Sequence, residues 1–123
     1  MFVAVYWWRV HPGKEAQFRE AWRRGTEAIT RIYGSHGSRL HRDRDGRFVG
    51  YAEWPDEASW QRAFDAKMVY DDPEARAMFV DAVAETPPGN RPVFTMTVTD
   101  DLLTLRGPDA SAARGEPPER GRR

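Results

Sequence analysis

A chain of 123 residues with 19 Lys+Arg against 19 Asp+Glu has room for one ordinary domain, and no net charge marks it as a binder of nucleic acid or of an anionic membrane. The absence of cysteine excludes a disulfide scaffold, a thiolate metal site and a cysteine nucleophile, and allows a reducing compartment. Residues 1–10 are apolar but short and lack a basic leader, so they read as neither signal peptide nor membrane span, and a cytoplasmic location is the expectation.

Residues 2–10 are rich in β-branched and aromatic side chains and predict a strand ended by Pro12-Gly13. From Lys14 the period changes. Phe18, Trp22, Gly25, Ile29 and Ile32 form one stripe of a helix that Gly34 stops. Residues 38–42 and 48–54 predict two strands joined by a hairpin loop, Asp43-Arg44-Asp45-Gly46-Arg47, with Asp-Gly at its tip. Asp56 then caps a second helix with Trp60, Ala63, Phe64 and Met68 on its buried side. Asp72-Pro73 starts a third, with Ala75, Met78, Phe79, Ala82 and Val83 as its stripe. Residues 86–92 form a rigid connector, and residues 93–99 a fourth strand trailed by Leu102, Leu103 and Leu105. Residues 106–123 hold no large apolar side chain and read as a disordered basic tail, leaving a domain over residues 1–105.

Strand, helix, strand, strand, helix pair, strand is the split β-α-β pattern. It predicts an α+β, ferredoxin-like fold: a four-stranded antiparallel sheet with its helices on one face.

Side chains alternate along a strand, so each strand divides into two sets. Val3, Val5, Trp7, Ser38, Leu40, Phe48, Gly50, Ala52, Trp54, Phe94, Met96 and Val98 are mostly apolar and suit the helix-packed face. The complementary set is Ala4, Tyr6, Trp8, Arg39, His41, Val49, Tyr51, Glu53, Thr95, Thr97 and Thr99. It mixes large aromatics with groups that bond and ionise. Three helices cover one side of such a sheet, so the second side calls for another cover. A second copy laid face to face would enclose a cavity, which predicts a homodimer. Five Trp, four Tyr and six Phe exceed what a core this small needs and point the same way.

The element order, the Val10-His11-Pro12-Gly13-Lys14 lead into the first helix, the passage over residues 34–42 and the turn Glu53-Trp54-Pro55-Asp56-Glu57-Ala58 resemble the antibiotic biosynthesis monooxygenase-like proteins over residues 2–105. The resemblance implies a dimeric α/β barrel with one pocket per subunit. Its members include cofactor-independent oxygenases of polycyclic phenols and quinols, haem-degrading enzymes, and small quinol- or aldehyde-handling proteins. Placed by spacing from the shared turn, the haem-degrading branch's strand-one Asn falls on Tyr6 and its Trp on Ala63, and no His follows His41. The usual haem iron ligand is therefore missing, and no haem or other cofactor is expected.

His41 and Arg39 are the candidate catalytic pair, the imidazole as base and the guanidinium as stabiliser of the resulting anion. Tyr6, Trp8 and Tyr51 are the candidate walls for a planar ligand, with Glu53 on the neighbouring strand pointing the same way. The plainer alternative makes Arg39 and Glu53 a cross-strand ion pair and the aromatics a dimer interface. Trp7, Trp22, Trp54 and Trp60 read as core. His36 and His11 lie in loops, and no metal-ligand spacing is present. The expected function is cofactor-independent oxygenation of a small aromatic phenol, quinol or polyketide-like compound, with a dimeric small-molecule-binding or stress-response protein as the alternative, and with neither nucleic acid nor membrane as partner.

Overall fold

Phe2–Val10 forms β1, the central strand. The computed structural model of the chain describes residues 1–103. β1 is followed by α1 (Glu15–Tyr33), β2 (Gly37–Arg42), β3 (Phe48–Trp54), α2 (Glu57–Asp65), α3 (Pro73–Ala82), β4 (Val83–Glu85), a 3-10 turn at Pro88–Asn90, and β5 (Phe94–Thr97). The strand order is β2-β3-β1-β4, with β5 also paired to β1. This is the ferredoxin-like order, and every strand pair is antiparallel.

The expected four-strand sheet gains a fifth member. Val83, taken from its apolar spacing as the end of the third helical stripe, instead begins β4, which pairs with Arg9 and Val10. β5 pairs with Phe2 to Val5, so two short strands share one edge of β1. The predicted fourth strand over residues 93–99 shrinks to Phe94–Thr97. Leu105 and the basic tail lie outside the described residues.

Local signals set most element ends. Gly34 takes the left-handed conformation (φ 81°) that closes α1. Asp56 accepts a hydrogen bond from Ser59 N at 2.8 Å, and Asp72 accepts one from Ala75 N at 3.0 Å beside Pro73 at the head of α3. In the hairpin, Asp43 accepts from the amides of Asp45 and Arg47 while Gly46 turns at φ 84°.

The helix stripes differ in detail from their spacing. Along α1 the buried residues are Phe18, Ala21, Gly25 and Ala28, while Ile32 is 43% exposed, because the helix rolls its small residues toward its neighbours. Tyr70 explains Gly25: a Cβ there would stand 2.9 Å from the Tyr70 hydroxyl. Met68 lies beyond the end of α2 but still packs on the core. It gets there through two consecutive left-handed residues, Lys67 (φ 57°) and Met68 (φ 51°), at about 1–2 kcal/mol each. Their amides donate to Phe64 O and Ala63 O, both at 2.9 Å, which helps to hold the turn.

Two apolar clusters fill the space between helices and sheet. One gathers Phe2, Ala4, Trp54, Trp60 and Ala63, with Tyr6 and Phe64 packed against it. The other centres on Phe18, Phe48 and Ala82, with Trp8, Trp22 and Phe79 around them. Gly50 belongs with the second for a steric reason. A Cβ on it would meet the Trp8 ring at 2.9–3.0 Å, so its bare backbone makes room for the indole.

An ionic tie joins α1 to the start of α3. Arg24 donates to both carboxylate oxygens of Asp72, at 2.7 and 3.0 Å, and to Glu74 at 2.8 Å. The Arg24 guanidinium, and then the Ala75 amide, hold the Asp72 carboxyl below the usual carboxylate range. A depressed folded-state value gives stability that is present above the unfolded carboxyl's value and lost as pH falls through the folded one. Asp72→Asn is therefore expected to lower the melting temperature near neutrality and to narrow the gap to wild type as the pH falls below the ordinary carboxylate range. Thermal melts from pH 2 to 7 check this, and a gap constant across that range would refute the role of ionised Asp72.

Candidate functional site

The cross-strand register decides which side chains share a face. Gly50 stands opposite Tyr6, and Phe48 opposite Trp8. Both β3 residues are buried on the helix side, so Tyr6 and Trp8 lie under the helices too, within the two apolar clusters. The expectation that they wall an open-face pocket is corrected. Alternation fixes parity within a strand, but only hydrogen-bond register fixes the phase between strands. The same shift turns Val3, Val5 and Trp7 to the other side of the sheet, with Phe94 and Met96 of β5 beside Val5 and Val3. Trp7 is thus not core, whereas Trp54 and Trp60 are buried as expected.

For β2 and β3 the sorting holds. Arg39 stands opposite Tyr51 and His41 opposite Val49, while Val5 and Trp7 flank those β3 residues on the far side. Three rows cross the helix-free face: His41, Val49 and Trp7; Arg39, Tyr51, Val5 and Phe94; and Gly37, Glu53, Val3 and Met96. Arg39, His41, Tyr51 and Glu53 therefore share one surface, joined by Trp7 rather than by Tyr6 and Trp8.

The ionisable groups of this face differ in their partners. His41 Nδ1 lies 3.2 Å from Val49 O. A carbonyl oxygen only accepts, so Nδ1 is the donor in this contact, and Nε2 has no hydrogen-bond partner among the described residues. Arg39 and Glu53 form no ion pair with each other among the described residues, since Glu53 is registered on Gly37 rather than on Arg39. Arg39 keeps its charge available. Arg47, ion-paired to Asp43, lies 5.3 Å from the Trp7 ring centre and closes the hairpin end of the face.

Tyr6 has a different environment. Its hydroxyl accepts from Trp60 Nε1 at 2.9 Å, and burial pushes the phenol above its ordinary value while the Trp60 bond pulls it down. Nearby Trp54 is buried, and its Nε1 has no hydrogen-bond partner among the described residues. Tyr6 and Trp60 are thus a polar contact inside a core. Local spacing carries no sign of the Tyr6–Trp60 bond, because one partner is on a strand and the other lies 54 residues away. His36 and His11 contribute backbone amides, to Glu53 O and Ala82 O. Among the described residues no three His, Asp or Glu side chains gather as a metal site, and no helix is long and apolar enough to cross a membrane.

An open groove of about 840 Å³ lies between α1 and the edge strand β2, and both Arg39 and His41 border it. The candidate pair thus stands where the helix-free face meets this groove.

Among solved structures the chain is similar to SnoaB, a cofactor-independent oxygenase from Streptomyces nogalater. The TM-score is 0.57 at 20% identity, covering 83% of this chain and 96% of that one. It is equally similar to a Bordetella bronchiseptica protein assigned as an antibiotic biosynthesis monooxygenase (TM-score 0.57, 20% identity, 80% and 96% covered). Rv0793 from Mycobacterium tuberculosis has the same fold at 9% identity, with a TM-score of 0.55 and 82% and 97% covered. At such identities these likenesses speak for fold alone. No curated protein sequence matches the chain. The family model for antibiotic biosynthesis monooxygenase matches residues 1–71, which spans β1, α1, the β2–β3 hairpin and α2. With the sheet order and helix placement in agreement, the chain belongs to the antibiotic biosynthesis monooxygenase family.

Proposed function

We propose that this protein is a cofactor-independent monooxygenase of a small planar phenol or quinol, with His41 as base and Arg39 as anion stabiliser. The observation that carries this reading is the pair itself: an imidazole whose Nε2 is free, two residues from a guanidinium with no carboxylate partner among the described residues. Tyr51 and Trp7 stand beside them on a face that no helix covers among the described residues. Family membership supports the reaction class.

The chemistry needs no outside reductant. His41 Nε2 takes the phenol proton, and the electron-rich anion, held by Arg39, reduces dioxygen and forms a C–O bond at a ring carbon. Loss of the hydrogen at that carbon and cleavage of the O–O bond leave a second carbonyl on the ring and release water. One oxygen atom enters the product and the other leaves as water. Tyr51 and Trp7 supply flat surfaces for the ring, and the Glu53 carboxylate accepts a hydrogen bond from a second substrate hydroxyl. A second copy of the chain covers the face, since Phe94 is 64% and Met96 44% exposed on it.

Oxygen uptake with 1-naphthol tests the proposal. Purified protein freed of metal and flavin is expected to consume one dioxygen per 1,4-naphthoquinone formed, above the rate of buffer alone. If naphthols, anthrols and quinols bind but none raises uptake above buffer, the oxygenase reading fails and a binding protein takes its place.

A further inference from the structure

The arginines of this chain are not all alike. Arg9, Arg23, Arg24, Arg31 and Arg47 each face a carboxylate. Arg19, Arg39 and Arg42 have no carboxylate partner among the described residues, yet all three border the groove between α1 and β2. The other described arginines without one, Arg44, Arg62, Arg76 and Arg91, are scattered over the hairpin, α2, α3 and the stretch before β5. Four arginines and one carboxylate, Glu20, line the groove, and Glu20 is already committed to Arg23 at 2.7 Å. In a chain with no net charge, this is a local excess of positive charge.

The floor of the groove is apolar. Trp22, Leu40 and Phe48 lie along it, and the Arg42 guanidinium stacks over the Phe48 ring at 4.4 Å. Arg42 also donates Nε to Gly46 O at 3.2 Å. That bond fixes the plane of the guanidinium and leaves its two terminal nitrogens for a ligand. An apolar floor rimmed by guanidinium groups matches an aromatic ring carrying an acidic group, because Arg forks pair with carboxylates through two parallel hydrogen bonds. We propose that the α1–β2 groove binds the carboxylate of an aromatic acid, with Arg19 and Arg42 on the carboxylate and Trp22 and Leu40 against the ring. The groove serves turnover only if His41 does the chemistry proposed above, whereas its preference for an anion rests on charge and shape.

Calorimetric titration without oxygen separates the two questions. 1-Hydroxy-2-naphthoate is expected to bind about tenfold or more tighter than 1-naphthol, with the difference shrinking in high salt. The double variant Arg19→Gln/Arg42→Gln should lose about tenfold or more in affinity for the naphthoate and little for the naphthol. Arg19→Lys/Arg42→Lys keeps both charges and should recover part of the loss, which guards against a variant that binds poorly through misfolding. Equal affinity for the two probes, no measurable naphthoate binding, or an unchanged Kd in the glutamine variant would each overturn the anion site. Naphthoate preference in a protein that consumes no oxygen upholds the groove and sinks the oxygenase; oxygen uptake without that preference does the reverse.

Discussion

His41→Ala is expected to lower oxygen-dependent turnover of 1-naphthol by about 10²–10⁴-fold, the range for loss of a positioned general base. The Val49 carbonyl holds the imidazole through Nδ1, so the reactive nitrogen is already oriented, and truncation removes both the base and its alignment. The fold should survive, because His41 is exposed on an edge strand and its register partner is fixed by backbone bonds. Addition of free imidazole should restore part of the rate, a response that a structural defect would not give. Turnover in the variant within threefold of wild type would remove His41 from the mechanism.

Phe18→Ala is expected to destabilise the domain by about 3–5 kcal/mol, the usual range for an aromatic deleted from a packed core. Its side chain is fully buried, and its ring lies 4.9 Å from Phe48, 5.2 Å from Phe79 and 5.5 Å from Trp8 between ring centres. No one neighbour can collapse into the gap without abandoning two others. Against a total stability of about 5–15 kcal/mol for small domains, this variant stands near the limit of folding. Ile32→Ala is the control: Ile32 belongs to the same sequence stripe but is 43% exposed, and a change below about 1 kcal/mol is expected. Urea denaturation of the two variants measures both, and similar losses for the two would contradict the packing described here.

The fold was largely legible because its boundaries are written in local chemistry. Gly34, Asp56, Asp72-Pro73 and the Asp43 to Arg47 hairpin act within a few residues of themselves, and each did what its type implies. β4 escaped notice because three residues after a helix, Val83-Ala84-Glu85, carry no period of their own. They are strand only because the edge of β1 beside them is open. The site was half legible for a related reason. On β2 and β3 polar and small residues alternate clearly, so Arg39, His41, Tyr51 and Glu53 were sorted together. β1 carries aromatics on both faces, Tyr6 and Trp8 against Trp7, and nothing in its own alternation says which pair meets the helices. Gly50 held that information: a glycine in a buried strand signals a large side chain crossing over it, and its cross-strand neighbourhood holds Trp8.

That crossing has a consequence for how this chain tolerates change. The indole at position 8 occupies the volume that any side chain at position 50 would need, and it is pinned there by Phe18 and Phe79. The two positions, on adjacent strands, share one allotment of space. Enlarging residue 50 demands a smaller residue 8, and shrinking the indole opens a void that only growth on β3 can fill, so drift in this part of the sheet proceeds by paired exchanges.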